Sequence, residues 1–345
     1  MGNSGRQFVT DAPDWLLEYV CRPGIGTRHA ILIDPADQTP EVAAKRCVAA
    51  VAAGSRMVLV GGSSDTDMDN VHNTIIAIRE ALELVTWASS QDSASEETEW
   101  TVPIILFPQG AAALSPAADG ITFMMLMNST SPRFLIEEQV AGAPFIREAG
   151  VTPLPMGYLI CAPGGRAGQV GQADLIQPED ENRVRSYAMA AESYGFSMFY
   201  LEAGSGAASP VGQNLIRSAR EACDLTLVVG GGIRDGAAAR KAAEAGADWI
   251  ITGNLAEEFD DADALQRVLS LFITEMNGAY DLQLHQPHAR VVLPYRVSTS
   301  HALLLSAVGG HFHPVVLRSD PAHPLLRYRP GEPAHFLVMS PSGES

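Results

Sequence analysis

The sequence predicts a modified (β/α)8 barrel that lacks a regular third helix. Eight apolar segments of strand length alternate with helical patterns, and glycine turns follow the last three of them. Apolar runs of this kind are typical of parallel strands that are covered on both faces. The predicted strands are residues 29–34, 57–60, 102–107, 121–127, 156–161, 196–201, 225–229 and 249–252.

Helical patterns separate most of these strands. Thr39 and Pro40 form a favourable N-cap and first-turn pair for the first helix. Residues 109–118, between the third and fourth strands, are too few and too rich in Ala and Pro for a full helix. We expect a loop or short strand there that could move as a lid. The predicted helices are residues 40–53, 68–84, 132–149, 179–194, 212–222, 236–245 and 262–276.

The barrel is predicted to occupy residues 29–280 of the 345 in the chain. A lead-in of residues 1–28 holds a helix at 12–21, and residues 86–101, rich in Ser and acidic side chains, predict an exposed insertion. Residues 281–345 are predicted to form a β-rich extension, in which His311 and His313 could bind a metal or form an edge-strand pair. Its predicted strands are residues 291–294, 302–308, 314–317 and 335–339.

Charge and cysteine usage limit the possible functions. The formal net charge of −17 argues against a nucleic-acid partner, because phosphate neutralisation needs clustered Lys and Arg. With only two lysines, Lys45 and Lys241, an anionic substrate would need positive potential from local amides, helix ends or a metal ion. The four scattered cysteines favour reduced thiols in the cytoplasm, and no apolar run reaches the ~18 residues of a transmembrane helix.

The segment after the sixth strand predicts a phosphate site. A strand that ends in Tyr200 and Glu202 and continues into small residues places amide N–H groups and a carboxylate at one mouth. A carboxylate at this mouth has few structural roles. Glu202 is therefore expected to bind a hydroxyl of the ligand and could accept its proton. Glycine turns at residues 230–232 and 253–254 follow the next two strands, where many barrels bind phosphate.

Two residues at the ends of the first two strands could hold a metal ion. Asp34 ends the first strand and Ser63 follows the second, so their oxygens would lie side by side. Each also has a purely structural interpretation, Asp34 as a turn residue before Pro35 and Ser63 as part of a tight turn. Asn128, after the fourth strand, is equally consistent with a helix N-cap and with a ligand contact.

The ordered motifs resemble one protein family. LIDP, VGGS, FP, NS, MGY, YLEAGSGA, VVGGGIR and TGN occur in this order, and the resemblance covers roughly residues 14–275. They are similar to the geranylgeranylglyceryl phosphate synthases of archaea and their bacterial heptaprenylglyceryl phosphate relatives. The resemblance implies a barrel without a regular third helix. It also implies an enzyme that joins the 3-hydroxyl of sn-glycerol 1-phosphate to a polyprenyl diphosphate, expected to be geranylgeranyl diphosphate, and releases diphosphate.

The same resemblance implies roles for individual residues. Asp34 and Ser63 match Mg²⁺ ligands, and Tyr200 and Glu202 are the expected catalytic residues. Leu32 stands where bacterial relatives carry Lys, which favours the archaeal branch. A homodimer and peripheral contact with a membrane are also expected. The residues expected to bind sn-glycerol 1-phosphate are Tyr200, Leu201, Glu202, Ala203, Gly204, Ser205, Gly206, Gly231, Gly232, Gly253 and Asn254.

Two other interpretations remain open at the level of sequence. The chain could be another phosphate-binding barrel, either a flavin-mononucleotide oxidoreductase or a phosphosugar isomerase or synthase, since similar glycine turns occur in those enzymes. It could also be a barrel that binds a phosphate ligand without catalysis. Convergence of Asp34, Ser63 and Glu202 on one mouth would argue against simple binding.

Overall fold

Eight parallel strands close the barrel in sequential order. The computed structural model describes residues 15–62, 66–91, 101–278, 291–292, 301–308, 311–318 and 335–336. The chain divides into two units, Met1–Ala279 and Tyr280–Ser345. In the first unit each strand pairs with the next, and the eighth pairs with the first. The strands are β1 (Arg28–Ile33), β2 (Met57–Val60), β3 (Ile104–Leu106), β4 (Gly120–Leu126), β5 (Thr152–Ile160), β6 (Met198–Glu202), β7 (Thr226–Gly230) and β8 (Trp249–Thr252).

Helices cover the outside of this barrel except between β3 and β4. Residues 107–119, all described by the structure, contain no helix, which confirms the predicted gap. A π-helical turn, Arg133–Glu137, leads into the helix after β4. The helices are α1 (Trp15–Cys21), α2 (Pro40–Ala52), α3 (Met68–Gln91), α4 (Glu138–Ala149), α5 (Gly165–Val170), α6 (Glu181–Ser193), α7 (Gln213–Ala222), α8 (Gly236–Glu244), α9 (Asn254–Glu257) and α10 (Ala262–Met276).

Strand β5 begins four residues earlier than the sequence predicts. Its first half contains Pro153 and Pro155, which lack the N–H that a ladder needs. Residues Thr152 to Tyr158 are all in register with β4, and the Thr152 N–H donates toward that side, to the Asp119 carbonyl at 3.2 Å. The Pro155 carbonyl accepts from the Ser197 N–H at 3.0 Å, so alternate residues, including both prolines, face the side of β6, whose pairing with β5 begins only at Met156. The missing donors therefore face a position where the neighbouring strand has not yet started.

Helix α3 is longer than predicted. It continues to Gln91 rather than ending at residue 84, so the first part of the predicted insertion at 86–101 is helical. Residues 92–100 lie outside the described part of the chain. The short helices α5 and α9 were not predicted, because each fills a rim loop with fewer residues than a full amphipathic pattern requires.

Helix α1 closes the amino-terminal end of the barrel. Leu16 and Val20 are fully buried among the side chains that fill the barrel interior. The Trp249 indole N–H donates to the Val20 carbonyl at 2.9 Å, and the Arg28 guanidinium lies 3.9 Å from the Trp249 ring centroid. A second apolar layer lies between the strands and the outer helices. Because side chains fill the amino-terminal end of the barrel, the accessible rim is the one formed by the carboxyl ends of the strands.

The described residues of the second unit form two antiparallel strand pairs. β10 (His301–Val308) pairs with β11 (His311–Arg318), and β9 (Val291–Val292) pairs with β12 (His335–Phe336). His311 and His313 both lie in β11, opposite Val308 and Ser306. Metal binding by these histidines remains a prediction.

A buried histidine joins three barrel elements. The two ring nitrogens of His29 in β1 lie 2.8 Å from Ser55 Oγ and 2.9 Å from Thr252 Oγ1, and the ring packs edge-on against Phe272. The side chain is 1% exposed, and burial lowers the pKa of His29 from 6.5 to about 3. The folded protein therefore holds this imidazole neutral.

We predict that His29 makes the fold sensitive to acid. Above pH 6.5 neither the folded nor the unfolded state protonates this residue, whereas between pH 6.5 and about 3 only the unfolded state does. Its contribution should fall by about 3 kcal/mol between pH 7.5 and pH 4.5. Urea unfolding across this range should show the wild type losing that much more stability than His29→Gln. Parallel stability curves for the two proteins would contradict the prediction.

Candidate active site

The strand ends bring most of the predicted site residues around one cavity of about 270 Å³. Asp34 follows β1 and Glu202 ends β6, and both line it. Ser63 lies outside the described residues. Leu201 and Ala203 are instead buried in the layer between strands and helices. The predicted glycerol-phosphate residues that line the cavity are Tyr200, Glu202, Ser205, Gly206, Gly231, Gly232, Gly253 and Asn254.

The Glu202 carboxylate is held by two donors. The Tyr200 hydroxyl donates to Oε2, and the Gly204 N–H donates to Oε1 at 2.7 Å. Glu202 is 6% exposed, and burial raises its pKa more than these two hydrogen bonds lower it. A carboxylate fixed in this way, with a raised pKa, is suited to accept a proton from a bound hydroxyl.

The glycine turn after β7 leaves room for this pair. A Cβ atom on Gly230 would collide with the Tyr200 hydroxyl, and one on Gly231 would collide with Glu202 Oε1. Gly231 also has a φ of +79°, in the left-handed region that glycine adopts most easily. The three-glycine sequence therefore serves the carboxylate as well as any phosphate that approaches the backbone.

The side chain of Asn254 ties the loop after β8 to the loop after β6. Its Oδ1 accepts from the Gly206 N–H at 2.9 Å and from Ser205 Oγ at 3.0 Å. Its Nδ2 donates to Glu257 at 2.8 Å. This side chain thus orders the loop, and the backbone amides around it remain as the groups that could face a phosphate.

Asp34 is half-buried at the mouth, after β1, the strand that pairs with β8. Its Oδ1 accepts from the Ala36 N–H at 3.0 Å, and a Cβ atom on Gly62 would collide with the carboxylate. Burial, with smaller contributions from the Asp37 and Glu257 charges, raises the pKa of Asp34 from 3.8 to about 6. A bound cation would relieve this concentration of negative charge. No cluster of three metal-ligating side chains occurs among the residues described.

An apolar arm of the cavity extends into the gap left by the missing third helix. Phe107, Tyr158 and Tyr200 form its entrance, with ring centroids 5.0 to 6.1 Å apart. The arm then runs between β4 and α4. Its wall is formed by Leu114, Phe123, Met124, Phe134, Gly142 and Ile146.

The side chain of Asn128 stabilises the fold and is not part of the mouth of the cavity. Its Nδ2 donates to the carbonyls of Ile160 and Asp174 at 2.8 and 2.9 Å, and its Oδ1 accepts from the Ile160 N–H at 3.1 Å. The amide is fully engaged in holding the end of β5 against the following loop. Neither of the two sequence interpretations anticipated this role, because the partners lie 32 and 46 residues away.

The architecture places the protein among (β/α)8 barrels, with a cavity at the carboxyl ends of its strands. The sequence profile of the PcrB family matches residues 24–271. The chain belongs to the PcrB family. Membership of this family argues against both alternative enzymes considered from the sequence, the flavin-mononucleotide oxidoreductase and the phosphosugar isomerase or synthase.

Relatives and solved structures support the same assignment. The chain is 42% identical over 237 residues to a geranylgeranylglyceryl phosphate synthase of Methanothrix thermoacetophila, covering 68% of this chain and 86% of the relative. It is 41% identical to that of Methanococcoides burtonii over 68% of this chain and 89% of the relative. The Thermoplasma acidophilum (S)-3-O-geranylgeranylglyceryl phosphate synthase, solved with its substrate sn-glycerol-1-phosphate, superposes with a TM-score of 0.67 at 34% identity, over 76% and 97% of the two chains.

We predict that Gly231 and Gly206 respond differently to alanine. Both have left-handed φ angles, +79° and +69°, so both substitutions should cost about 1 kcal/mol of backbone strain. Only Gly231→Ala also forces a methyl group into Glu202, since nothing lies within 4 Å of a Cβ atom on Gly206. Urea unfolding should show a loss about 1–3 kcal/mol greater for Gly231→Ala. Equal losses would contradict the described position of Glu202.

Proposed function

We propose that the protein is a prenyltransferase that joins the 3-hydroxyl of sn-glycerol 1-phosphate to a polyprenyl diphosphate, with geranylgeranyl diphosphate as the donor. The observation that carries this proposal is the meeting of a buried carboxylate, glycine-rich phosphate turns and an apolar arm in one cavity. The names of the relatives and the sn-glycerol-1-phosphate bound to the Thermoplasma acidophilum structure support it. The reaction would form the first ether bond of archaeal-type lipids.

The reaction follows from the positions of the groups. The phosphate of glycerol phosphate would lie against the amides of the loops after β6, β7 and β8. The oxygen of the glycerol 3-hydroxyl would bond to C1 of the prenyl chain while the bond from C1 to the diphosphate oxygen breaks. Glu202 would accept the proton that this hydroxyl loses. Tyr200 keeps the Glu202 carboxylate oriented. The apolar arm would hold the prenyl chain and exclude water from the electron-poor carbon.

We further propose that Mg²⁺ assists this reaction. Asp34 would be one ligand, and Ser63 the second by resemblance. The fit rests on the donor chemistry, because Asp34 offers a hard carboxylate oxygen beside the negative charges of Asp37 and Glu257. When bound, the ion would neutralise charge on the diphosphate leaving group.

The cellular setting is also a proposal. We expect a cytoplasmic homodimer that contacts the membrane peripherally, because both donor and product carry a lipid chain. Ile136 and Val140 are 51% and 65% exposed, and they belong to the helical wall that lines the apolar arm. None of the helices in the described ranges is long and apolar enough to cross a bilayer.

The proposed activity can be tested with purified protein, radiolabelled sn-glycerol 1-phosphate, geranylgeranyl diphosphate and Mg²⁺. The expected product is a labelled lipid phosphate that resists alkaline hydrolysis, as an ether does. The absence of any such product with prenyl diphosphates of several lengths would refute the proposal.

We predict that Glu202→Gln lowers kcat/KM for glycerol phosphate by about 10²- to 10⁴-fold, because the amide cannot accept the proton. The KM for prenyl diphosphate should change little. Glu244→Gln, which alters an exposed ion pair with Arg240 on α8, is the matched control and should behave as the wild type. Unchanged kinetics in the Glu202 variant would remove its proposed role.

We predict that Asp34→Asn reduces turnover at least 100-fold and raises the Mg²⁺ concentration needed for half-maximal rate, because a charged ligand is lost. Chelation should abolish wild-type activity, and added Mg²⁺ should restore it. Initial rates across a Mg²⁺ titration provide the measurement. A variant with the wild-type metal dependence would refute the assignment of Asp34.

A further inference from the structure

The cavity at the strand ends is strongly acidic. Six acidic side chains line it, and Arg234 is the one positively charged side chain among its described lining residues. The whole chain carries a formal charge of −17. A phosphate group that binds in this cavity therefore needs positive charge from close by. The six acidic residues are Asp34, Asp37, Glu138, Glu202, Glu257 and Glu258.

Arg234 lies between two of the loops that we propose for phosphate binding. It follows the three-glycine turn after β7 and directly precedes Asp235, the N-cap of α8. Its Nη2 donates to the carbonyls of Gly206 and Ala207 in the loop after β6, both at the long distance of 3.5 Å. The side chain thus extends from the loop after β7 to the loop after β6, at the wall of the cavity.

The backbone that carries Arg234 is held in place by its neighbours. A Cβ atom on Gly232 would lie 2.7 Å from the Ser209 carbonyl oxygen, so the loops after β7 and β6 pack backbone against backbone. Ile233 is buried, and the Asp235 side chain caps α8. Arg234 is exposed between these two anchored residues. The fold therefore fixes the base of the side chain and leaves its guanidinium accessible to a ligand.

Most of the hydrogen-bonding capacity of this guanidinium is available. Within the described part of the chain, its hydrogen bonds are the two long ones from Nη2, and it forms no ion pair with a carboxylate. An arginine side chain has further N–H donors on Nη1 and Nε, arranged as a planar fork. A phosphate oxygen would therefore be a better acceptor for Arg234 than the two distant carbonyls.

The loop after β6 has few unoccupied amides to offer a phosphate. The Gly204 N–H donates to the Glu202 carboxylate. The Gly206 N–H donates to Asn254 at 2.9 Å, and the Ala207 N–H donates to the Gly204 carbonyl at 3.1 Å. The amides after β7 and β8 carry only partial charges, which do not balance a dianion in an acidic cavity. A charged side chain on the same loops would complete the phosphate site.

We propose that Arg234 binds the phosphate group of sn-glycerol 1-phosphate, so that the site selects a phosphorylated acceptor over an uncharged polyol. This inference rests on the proposed function and adds a charged residue to the glycine turns. The fork of guanidinium donors matches the spacing of phosphate oxygens, and the group stays protonated at every pH at which the protein is folded. Arg234 is therefore a substrate-binding residue and takes no part in proton transfer.

The test compares Arg234→Gln and Arg234→Lys with the wild type by calorimetric titration of sn-glycerol 1-phosphate and by initial rates at fixed Mg²⁺. Arg234→Gln should raise the Kd and KM for sn-glycerol 1-phosphate, and the inhibition constant of inorganic phosphate, by about 10- to 100-fold, as expected for a lost charged hydrogen bond. The KM for prenyl diphosphate should change little. Arg234→Lys should fall between Arg234→Gln and the wild type, because it retains the charge without the fork.

These variants also separate phosphate binding from support of the loop. Glutamine can still donate to the carbonyls of Gly206 and Ala207, so a residue that only braces the loop should be largely replaced by it. Arg267→Gln is the matched control, since Arg267 is exposed on α10 and lies 3.8 Å from Asp261. It should leave all the constants unchanged.

Unchanged affinity for sn-glycerol 1-phosphate in Arg234→Gln, or a rise confined to the KM for prenyl diphosphate, would overturn the inference. If Arg234→Gln fails to fold, as judged by circular dichroism, Arg234→Lys decides, and wild-type affinity in that variant would overturn it. A wild type that forms no ether product would refute the proposed function instead. The calorimetric comparison with sn-glycerol 1-phosphate would still test Arg234.

Discussion

The site depends on one physical constraint, the burial of the Glu202 carboxylate at the end of β6. A buried carboxylate is costly unless its oxygens are satisfied, and here Tyr200 and the Gly204 amide supply the donors. Their positions leave no space for side chains at Gly230 and Gly231. Gly231 also lines the cavity, so the residue that leaves room for the Glu202 carboxylate belongs to the turn that we propose for phosphate binding.

The absence of the third helix leaves the barrel wall open on one side. Between β3 and β4 the chain runs as a loop, and the space beside it becomes the apolar arm of the cavity. A π-helical turn before α4 borders this space, and the Gln139 side-chain amide joins that turn to β4 by donating to the carbonyls of Phe134 and Met124. A standard barrel helix would fill the gap, so the apolar arm that we propose for the prenyl chain exists because the fold omits this helix.

The barrel could be predicted from sequence because strands buried on both faces read as uninterrupted apolar runs. The prediction of element boundaries was wrong where contacts between residues distant in sequence outweigh the local sequence pattern. β5 starts early because its prolines face a gap beside β6, which no local signal reveals. Most of the predicted rim residues line one cavity, since strand ends share a rim, whereas Leu201 and Ala203 are buried between the strands and the helices. The Asn254 link to the loop after β6 spans 48 residues, so it could not be inferred from spacing.

The account requires the acceptor hydroxyl and the prenyl carbon to meet beside Glu202. A crystal structure with sn-glycerol 1-phosphate, Mg²⁺ and an unreactive thio-diphosphate analogue of the donor would measure this directly. We expect the 3-hydroxyl oxygen within about 3 Å of the Glu202 carboxylate, the phosphate on the amides after β6 to β8, and the chain in the apolar arm. A glycerol hydroxyl turned away from Glu202, or a chain bound outside the gap between β4 and α4, would contradict it.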